Sequence, residues 1–210
     1  MRSAARLRPL LFCVLTATAA VAGDRSIGSL AWRPTSRLSE SLGTLDLTHL
    51  SGVKIGIKAF TDTRADKDVL GENLEKSRPR FMTMREDAAA FLTQHISELM
   101  LSGGLPMAAK PEEATVTISA EVLSFKVIER DTYQAETRLM IQVQSGDQVL
   151  WRGIAAGTAT RFGRSFKIEN YNEVLSDSLI DMVASLLKSG HFLNALAGKA
   201  PVAPALQAAP

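Results

Sequence analysis

Apolar and polar side chains alternate with a period of two from Val53 to Ala59. Val53, Ile55, Ile57 and Ala59 fall on one face, and Lys54, Gly56 and Lys58 on the other. That is the pattern of a strand in a sheet buried on one side only. The period then changes. Ala88, Phe91, Leu92, Ile96, Leu99 and Met100 recur at helical spacing. Thr83 and Glu86 stand ahead of them at the separation of a capping box, and Gly103-Gly104 with Pro106 ends the run. Three strands follow. Val116, Ile118, Ala120 and Val122 alternate with Thr117, Ser119 and Glu121, and the apolar phase then slips to Leu123, Phe125 and Val127, which predicts a β-bulge. In the second, Thr137 to Gln144, the inward positions are Leu139, Ile141 and Val143. Ser145-Gly146-Asp147 predicts a tight hairpin into the third, which starts near Gln148, includes Trp151 and continues through small residues from Gly153 to Thr160. Glycine and alanine weaken a strand but let another backbone come close. A last helical stripe, Leu175, Leu179, Met182, Val183, Leu186 and Leu187, follows a second capping-box pair, Asn170 and Glu173, and Gly190 ends it.

The order β, α, β, β, β, α predicts an α+β fold: a two-layer βαβββα domain with a mixed four-stranded sheet and two helices on one face. A right-handed crossover places the second strand parallel to the first. The other face would then expose Lys54, Lys58, Thr117, Ser119, Glu121, Arg138 and Gln142. Thr61 to about Arg80 reads as a long charged loop, a feature usually functional or mobile in a compact domain. Residues 23–51 are weakly patterned and read as a partly extended arm, with a short strand at Leu45, Leu47 and His49 and with Trp32 pinning it to the domain. The domain itself is placed at 52–192. The Ala/Pro-rich tail 193–210 has almost no charge and reads as disordered.

The amino terminus changes how the composition is read. Arg2, Arg6 and Arg8 precede an apolar run from Pro9 to about Ala20, and Ala20-Val21-Ala22 supplies the small residues of a signal-peptidase site. Residues 1–22 are expected to be a cleaved export signal, too short to span a bilayer. Cleavage removes the only cysteine, Cys13, and three arginines. Lys+Arg then falls from 24 to 21 against 22 Asp+Glu, and the net charge from +2 to −1. Disulfides and thiolate metal sites are thereby excluded from the exported chain, and the basic balance gives no reason to expect nucleic acid. Phe12, ahead of Cys13, is too large for lipoprotein processing, so the expected product is a periplasmic chain with no transmembrane helix.

No catalytic, cofactor or metal site is expected. His49, His95 and His191 are scattered, with no second ligand at metal-motif spacing, and no nucleophile elbow, P-loop or dinucleotide fingerprint occurs. The acidic loop Asp62, Asp66, Asp68 and Glu72 lacks the glycine and final glutamate of a calcium loop, and Arg64 and Lys67 lie among the acids. Asp62 is expected to bond the backbone of its own turn, and Arg64 to meet a carboxylate. Arg161, Arg164 and Lys167 interleave with Phe162 and Phe166, a mixture that suits an anionic ligand. The alternative is a strand end whose phenylalanines pack under the last helix. Candidate partner-binding residues are therefore Asp62, Arg64, Arg161, Arg164 and Lys167.

The strand ending Phe60-x-Asp62-x-Arg64, followed by Val69-Leu70-Gly71, resembles the YajG-like family of bacterial envelope lipoproteins. So do the small-residue strand Gly153 to Gly157, the basic stretch after it and the helix opening Asn172-Glu173-Val174-Leu175. The resemblance spans roughly residues 52–187 and departs from the family at the lipidation signal. It implies a periplasmic, non-enzymatic protein. The function expected is a binding or scaffolding module meeting an envelope protein or polymer. A subunit of an envelope transport or secretion assembly, with an oligomer possible, is the alternative, and an enzyme with an unrecognised site comes third.

Overall fold

The computed structural model describes residues 23–27 and 29–199. The expected export signal and the tail beyond residue 199 lie outside them. In chain order the elements are β1 (Arg25–Ile27), α1 (Leu38–Leu42), β2 (Ile55–Ile57), β3 (Thr61–Asp62), β4 (Val69–Asn73), β5 (Arg80–Met84), α2 (Ala88–Ser102), β6 (Val116–Glu129), β7 (Thr132–Ser145), β8 (Gln148–Phe162), α3 (Ile168–Leu187) and α4 (Gly190–Leu196).

The fold is α+β, but its mixed sheet has eight strands rather than four, in the order β1-β5-β4-β6-β7-β8. Short β2 and β3 lie along β6 on the edge that β4 also uses. All three run parallel to β6, so the parallel crossover holds. β6, β7 and β8 form the antiparallel meander that alternation predicts. Thr61 to Arg80 is not a loop: it folds into β3 and β4 and reaches the start of β5, which pairs antiparallel with β4. These strands lack an apolar pattern because the buried positions of β4 after Leu70 are Gly71 and Asn73. β1 comes from the arm and adds parallel to β5, while the strand expected near Leu45 to His49 is instead a 3-10 turn at Thr48–Leu50.

The inward row of β6 is Val116, Ile118, Ala120, Val122, Phe125 and Val127, all buried. The bulge between Val122 and Ser124 shifts its phase and leaves Leu123 exposed rather than inward. Gly146, at φ +54°, and Asp147 form the hairpin turn between β7 and β8. The two long helices touch one another and reach the buried side of the meander. Phe91 of α2 lies 6.1 Å from the Phe125 ring, and Ser178 of α3 hydrogen-bonds Thr137 of β7 at 2.7 Å.

Both expected capping boxes are replaced. Thr83 sits in β5, Glu86 accepts the Leu30 amide at 2.7 Å, and Asp87 caps α2 by accepting from the Ala89 amide at 2.8 Å. α3 starts ahead of Asn170, which gives its amide to Ser165 Oγ. Gly190 opens α4 instead of closing the domain. That helix buries Phe192, Ala195 and Leu196, so the boundary expected at residue 192 falls inside a packed helix.

The arm is tied down along α3. Asn172 Oδ1 accepts from the Ala31 amide, Ser176 Oγ from Arg33, and Asp177 Oδ1 from Thr35 and Ser36, at 2.8–3.4 Å. Trp32 stacks on His95 with ring centroids 4.5 Å apart, which accounts for its pinning role. Among the described residues no helix is long and apolar enough to cross a membrane.

Candidate functional site

β3 stops pairing with β6 at Val122, and β4 takes up the same edge at Val127. Arg64 fills the gap. Its Nε and one terminal nitrogen bind both carboxylate oxygens of Asp62 at 2.7–3.2 Å. That nitrogen also donates to the Lys67 carbonyl, and the other donates to the carbonyls of Val69 and Phe125. A guanidinium has five N–H donors, so every one is accounted for within the fold. Asp62 also accepts the Arg64 backbone amide at 3.1 Å, the turn expected from its spacing. The Arg64 side chain is 7% exposed and that of Asp62 10%. Burial pushes the Asp62 carboxyl upward, but its bonds to Arg64 outweigh this and hold it below the usual carboxylate value. A cavity of about 190 Å³ beside the pair is lined by Glu72, Leu123, Ser124, Lys126 and Ile128 among others.

The basic stretch after β8 is organised from beneath by an acid that sequence analysis did not single out. Glu129, fully buried at the end of β6, accepts from the backbone amides of Ser165 and Phe166 through Oε1 and from the Tyr171 hydroxyl through Oε2, at 2.8–3.0 Å. Phe166 holds φ at +48°, unusual for a bulky residue, and this aims its amide at the carboxylate. Arg80 and Arg25 place guanidinium carbons 4.5 and 5.2 Å from the centre of the Phe166 ring. Burial raises the Glu129 carboxyl, but bonds from Asn73, Phe166, Tyr133 and Ser165 prevail and lower it. Burial and then the Glu129 charge raise the Tyr171 hydroxyl. The signal for this site was present: Glu129 shares the inward parity of Phe125 and Val127, an acid in an apolar row.

Phe166 is buried as expected, whereas Phe162 is 87% exposed and packs under nothing. Arg161 pairs with Glu173 of α3. Arg164 lies 3.5 Å from Asp131, both exposed, and Lys167 occupies the N-cap position of α3 without a side-chain bond. The five sequence-nominated residues therefore fall into two groups, a buried pair at the β3–β4 break and three cations at the far end of β8.

Glu129 and Asp62 carry one pH prediction. Each is depressed in the folded state, so each contributes stability that is fully present above its unfolded-state value and is lost as pH falls through the lower folded value. The melting temperature should hold through neutrality and fall below about pH 4. Glu129→Gln should be less stable at pH 7 and lose less on acidification. Parallel wild-type and Glu129→Gln melting curves from pH 7 to pH 3 would contradict the assignment.

Opposite the helices, β6, β7 and β8 present an open face. Glu121, Met140 and Ile154 form one cross-strand row, and Ser119, Gln142 and Arg152 another. Two hollows indent it. One, of about 160 Å³, is lined by Thr61, Ser119, Glu121, Met140 and Arg152; the other, of about 380 Å³, by Lys126, Ile128, Gln134, Glu136 and Thr160. Leu123 and Ile154 are exposed, and Arg152 lies 3.4 Å from Glu121. His95 is enclosed by Trp32 and Phe91, with Nδ1 2.9 Å from Glu98, and no group of three His, Cys, Asp or Glu residues suited to a metal occurs among the described residues.

No protein-family model and no curated protein matches the chain. Solved structures do. A Xanthomonas campestris protein of the DUF330 family is similar over 84% of this chain and 93% of its own, at TM-score 0.50 and 11% identity. A Caulobacter crescentus CB15 protein, provisionally described as a lipoprotein, is similar over 61% and 92% at TM-score 0.42 and 9% identity. PelC from Paraburkholderia phytofirmans, crystallised as a dodecamer, is similar over 62% and 88% at TM-score 0.34 and 15% identity. The first of these establishes a shared fold.

Proposed function

We propose that this chain is a non-catalytic binding or scaffolding module of the bacterial envelope, exported to the periplasm, that holds an envelope protein or polymer on the open face of its meander. One observation carries the reading. The outward rows of β6, β7 and β8 mix exposed apolar side chains, Leu123 and Ile154, with the charges of Lys126, Glu136 and Arg152 around two hollows. A polar rim around apolar contacts is the composition of a transient interface. The basic leader pattern fits an envelope setting. In this reading Asp62 and Arg64 act indirectly, by holding the sheet edge.

The test is a photo-crosslinking side chain at Gln142, with Glu98 on α2 as the control position. Capture in intact cells of a periplasmic or envelope species at position 142 and not at 98, abolished by Arg152→Glu, is the expected result. Equal capture at both positions, or capture confined to cytoplasmic proteins, would overturn it.

A further inference from the structure

We propose that the outer edge of β8 is a self-association site: the stretch Trp151–Gly157 pairs antiparallel with the same stretch of a second copy, across a two-fold axis at Ile154. Among the described residues β8 ends the sheet, so one side of a fifteen-residue strand has no strand beside it. The Thr158 amide donates to Asp181 Oδ2 at 2.9 Å and so points away from β7. Residues two apart share an edge. Arg152, Ile154 and Ala156 therefore also direct their N–H and C=O groups outward. Natural edge strands are blunted by lysine, proline or charge. This one holds neither lysine nor proline; its charges are Arg152 and Arg161, and it carries Val149, Ile154 and Phe162, three of the five large apolar side chains exposed among the described residues.

The limits of the free edge locate the axis. At one end β8 is irregular: Val143 faces Trp151 while Gln144 faces Val149, so Leu150 is the extra residue of a bulge. At the other end Asp181 occupies the Thr158 amide. Seven residues remain between them, and Ile154 is the middle one.

A second copy fits this stretch, as an isologous contact demands. With the axis at Ile154, Arg152 faces the second copy's Ala156, the two Ile154 residues face each other, and the outward amides and carbonyls pair without displacing Asp181. Met140 flanks Ile154 within the sheet, so the seam places an apolar row, Met140 and Ile154 from each copy, across the shared face. The two Arg152 side chains stand four residues apart, about 13 Å along the strand, beyond the screening length of about 8 Å at physiological salt. The chain's own residues 200–210 are poor occupants, since Pro201 and Pro204 cannot donate to a ladder. This inference shares Ile154 and Arg152 with the open-face reading but does not depend on it, because its test reads the state of the pure protein with no envelope partner present.

The full chain is purified as the cell makes it, in a Cys13→Ser background. Sedimentation equilibrium should give a concentration-dependent dimer. Ala156→Pro, which removes an outward amide and leaves the β7 ladder intact, and Ile154→Lys should each weaken self-association at least tenfold while the melting temperature stays unchanged. Directly opposed residues of such a hydrogen-bonded pair lie about 5.5 Å apart, within disulfide reach. Ile154→Cys should therefore cross-link to itself under mild oxidation, and Phe162→Cys should not. A protein that stays monomeric across the concentration range, a dimer indifferent to both edge variants, or equal cross-linking at 154 and 162 would overturn the proposal. A variant that fails to fold leaves the cysteine comparison to decide.

Discussion

Replacing Arg64 with alanine is expected to cost about 3–5 kcal/mol of folding stability, as loss of one partner from a buried ion pair does. The loss goes beyond the pair. Asp62 would keep a largely buried charge, and the carbonyls of Lys67, Val69 and Phe125 would each lose a donor. Those carbonyls lie where β6 has neither β3 nor β4 beside it, so the variant should also loosen the β4–β5 hairpin. Arg64→Lys should recover little, because one ammonium cannot address carbonyls on three sides and a carboxylate edge at once. Asp62→Ala combined with Arg64→Ala should cost less than the two single changes together, the signature of a coupled pair. Urea denaturation of the four proteins checks this. A change under 1 kcal/mol for Arg64→Ala would show that the pair does not hold the break closed.

Gly157→Ala should be nearly as damaging, for a different reason. A β-carbon there would sit 2.7 Å from Met182 Cα and closer still to the Met182 nitrogen and the Ser178 carbonyl, all of them helix backbone. Backbone cannot rotate out of the way as a side chain can. α3 must lift off β8, straining the Thr137–Ser178 bond beside it. Overpacking of this kind costs roughly 1–3 kcal/mol, occasionally more, and the upper end is expected here. Gly153→Ala is the control, since the nearest atoms to its added carbon belong to the Trp151 ring, a side chain rather than backbone. Thermal melts should show a markedly larger drop at 157 than at 153. Equal drops would mean that the helix and strand are not in obligatory contact.

The close approach at Gly157 was legible in the sequence as a run of small residues in a strand, and the meander and both long helices were legible from their periods. The strands between residues 61 and 84 were not. Gly71 and Asn73 occupy the buried positions of β4, and neither carries the apolar signal that alternation analysis reads. A β-carbon at Gly71 would sit 2.5 Å from the Val127 carbonyl oxygen and 2.6 Å from the Tyr171 ring, so that glycine is dictated by a neighbouring strand and a helix far along the chain. The caps failed for a local reason: Asp87 lies closer to the start of α2 than Thr83, and the nearer side chain takes the free amide. Within the candidate site, the bond between Asp62 and Arg64 could be anticipated because it spans two residues. The Glu129 cluster could not, because the Ser165, Phe166 and Tyr171 donors arrive from 36 to 42 residues further along the chain. Only the misplaced acid in an apolar row announced it.

The chain's two tryptophans sit at opposite ends of its assembly. Trp32 is stacked on His95 where the arm docks, and Trp151 lies edge-on to Phe192, 5.5 Å away, where α4 docks. Emission from each indole therefore reports one terminus alone. Replacing either tryptophan with phenylalanine turns the remaining one into a private optical gauge, able to show whether the two ends of the polypeptide let go together or in succession.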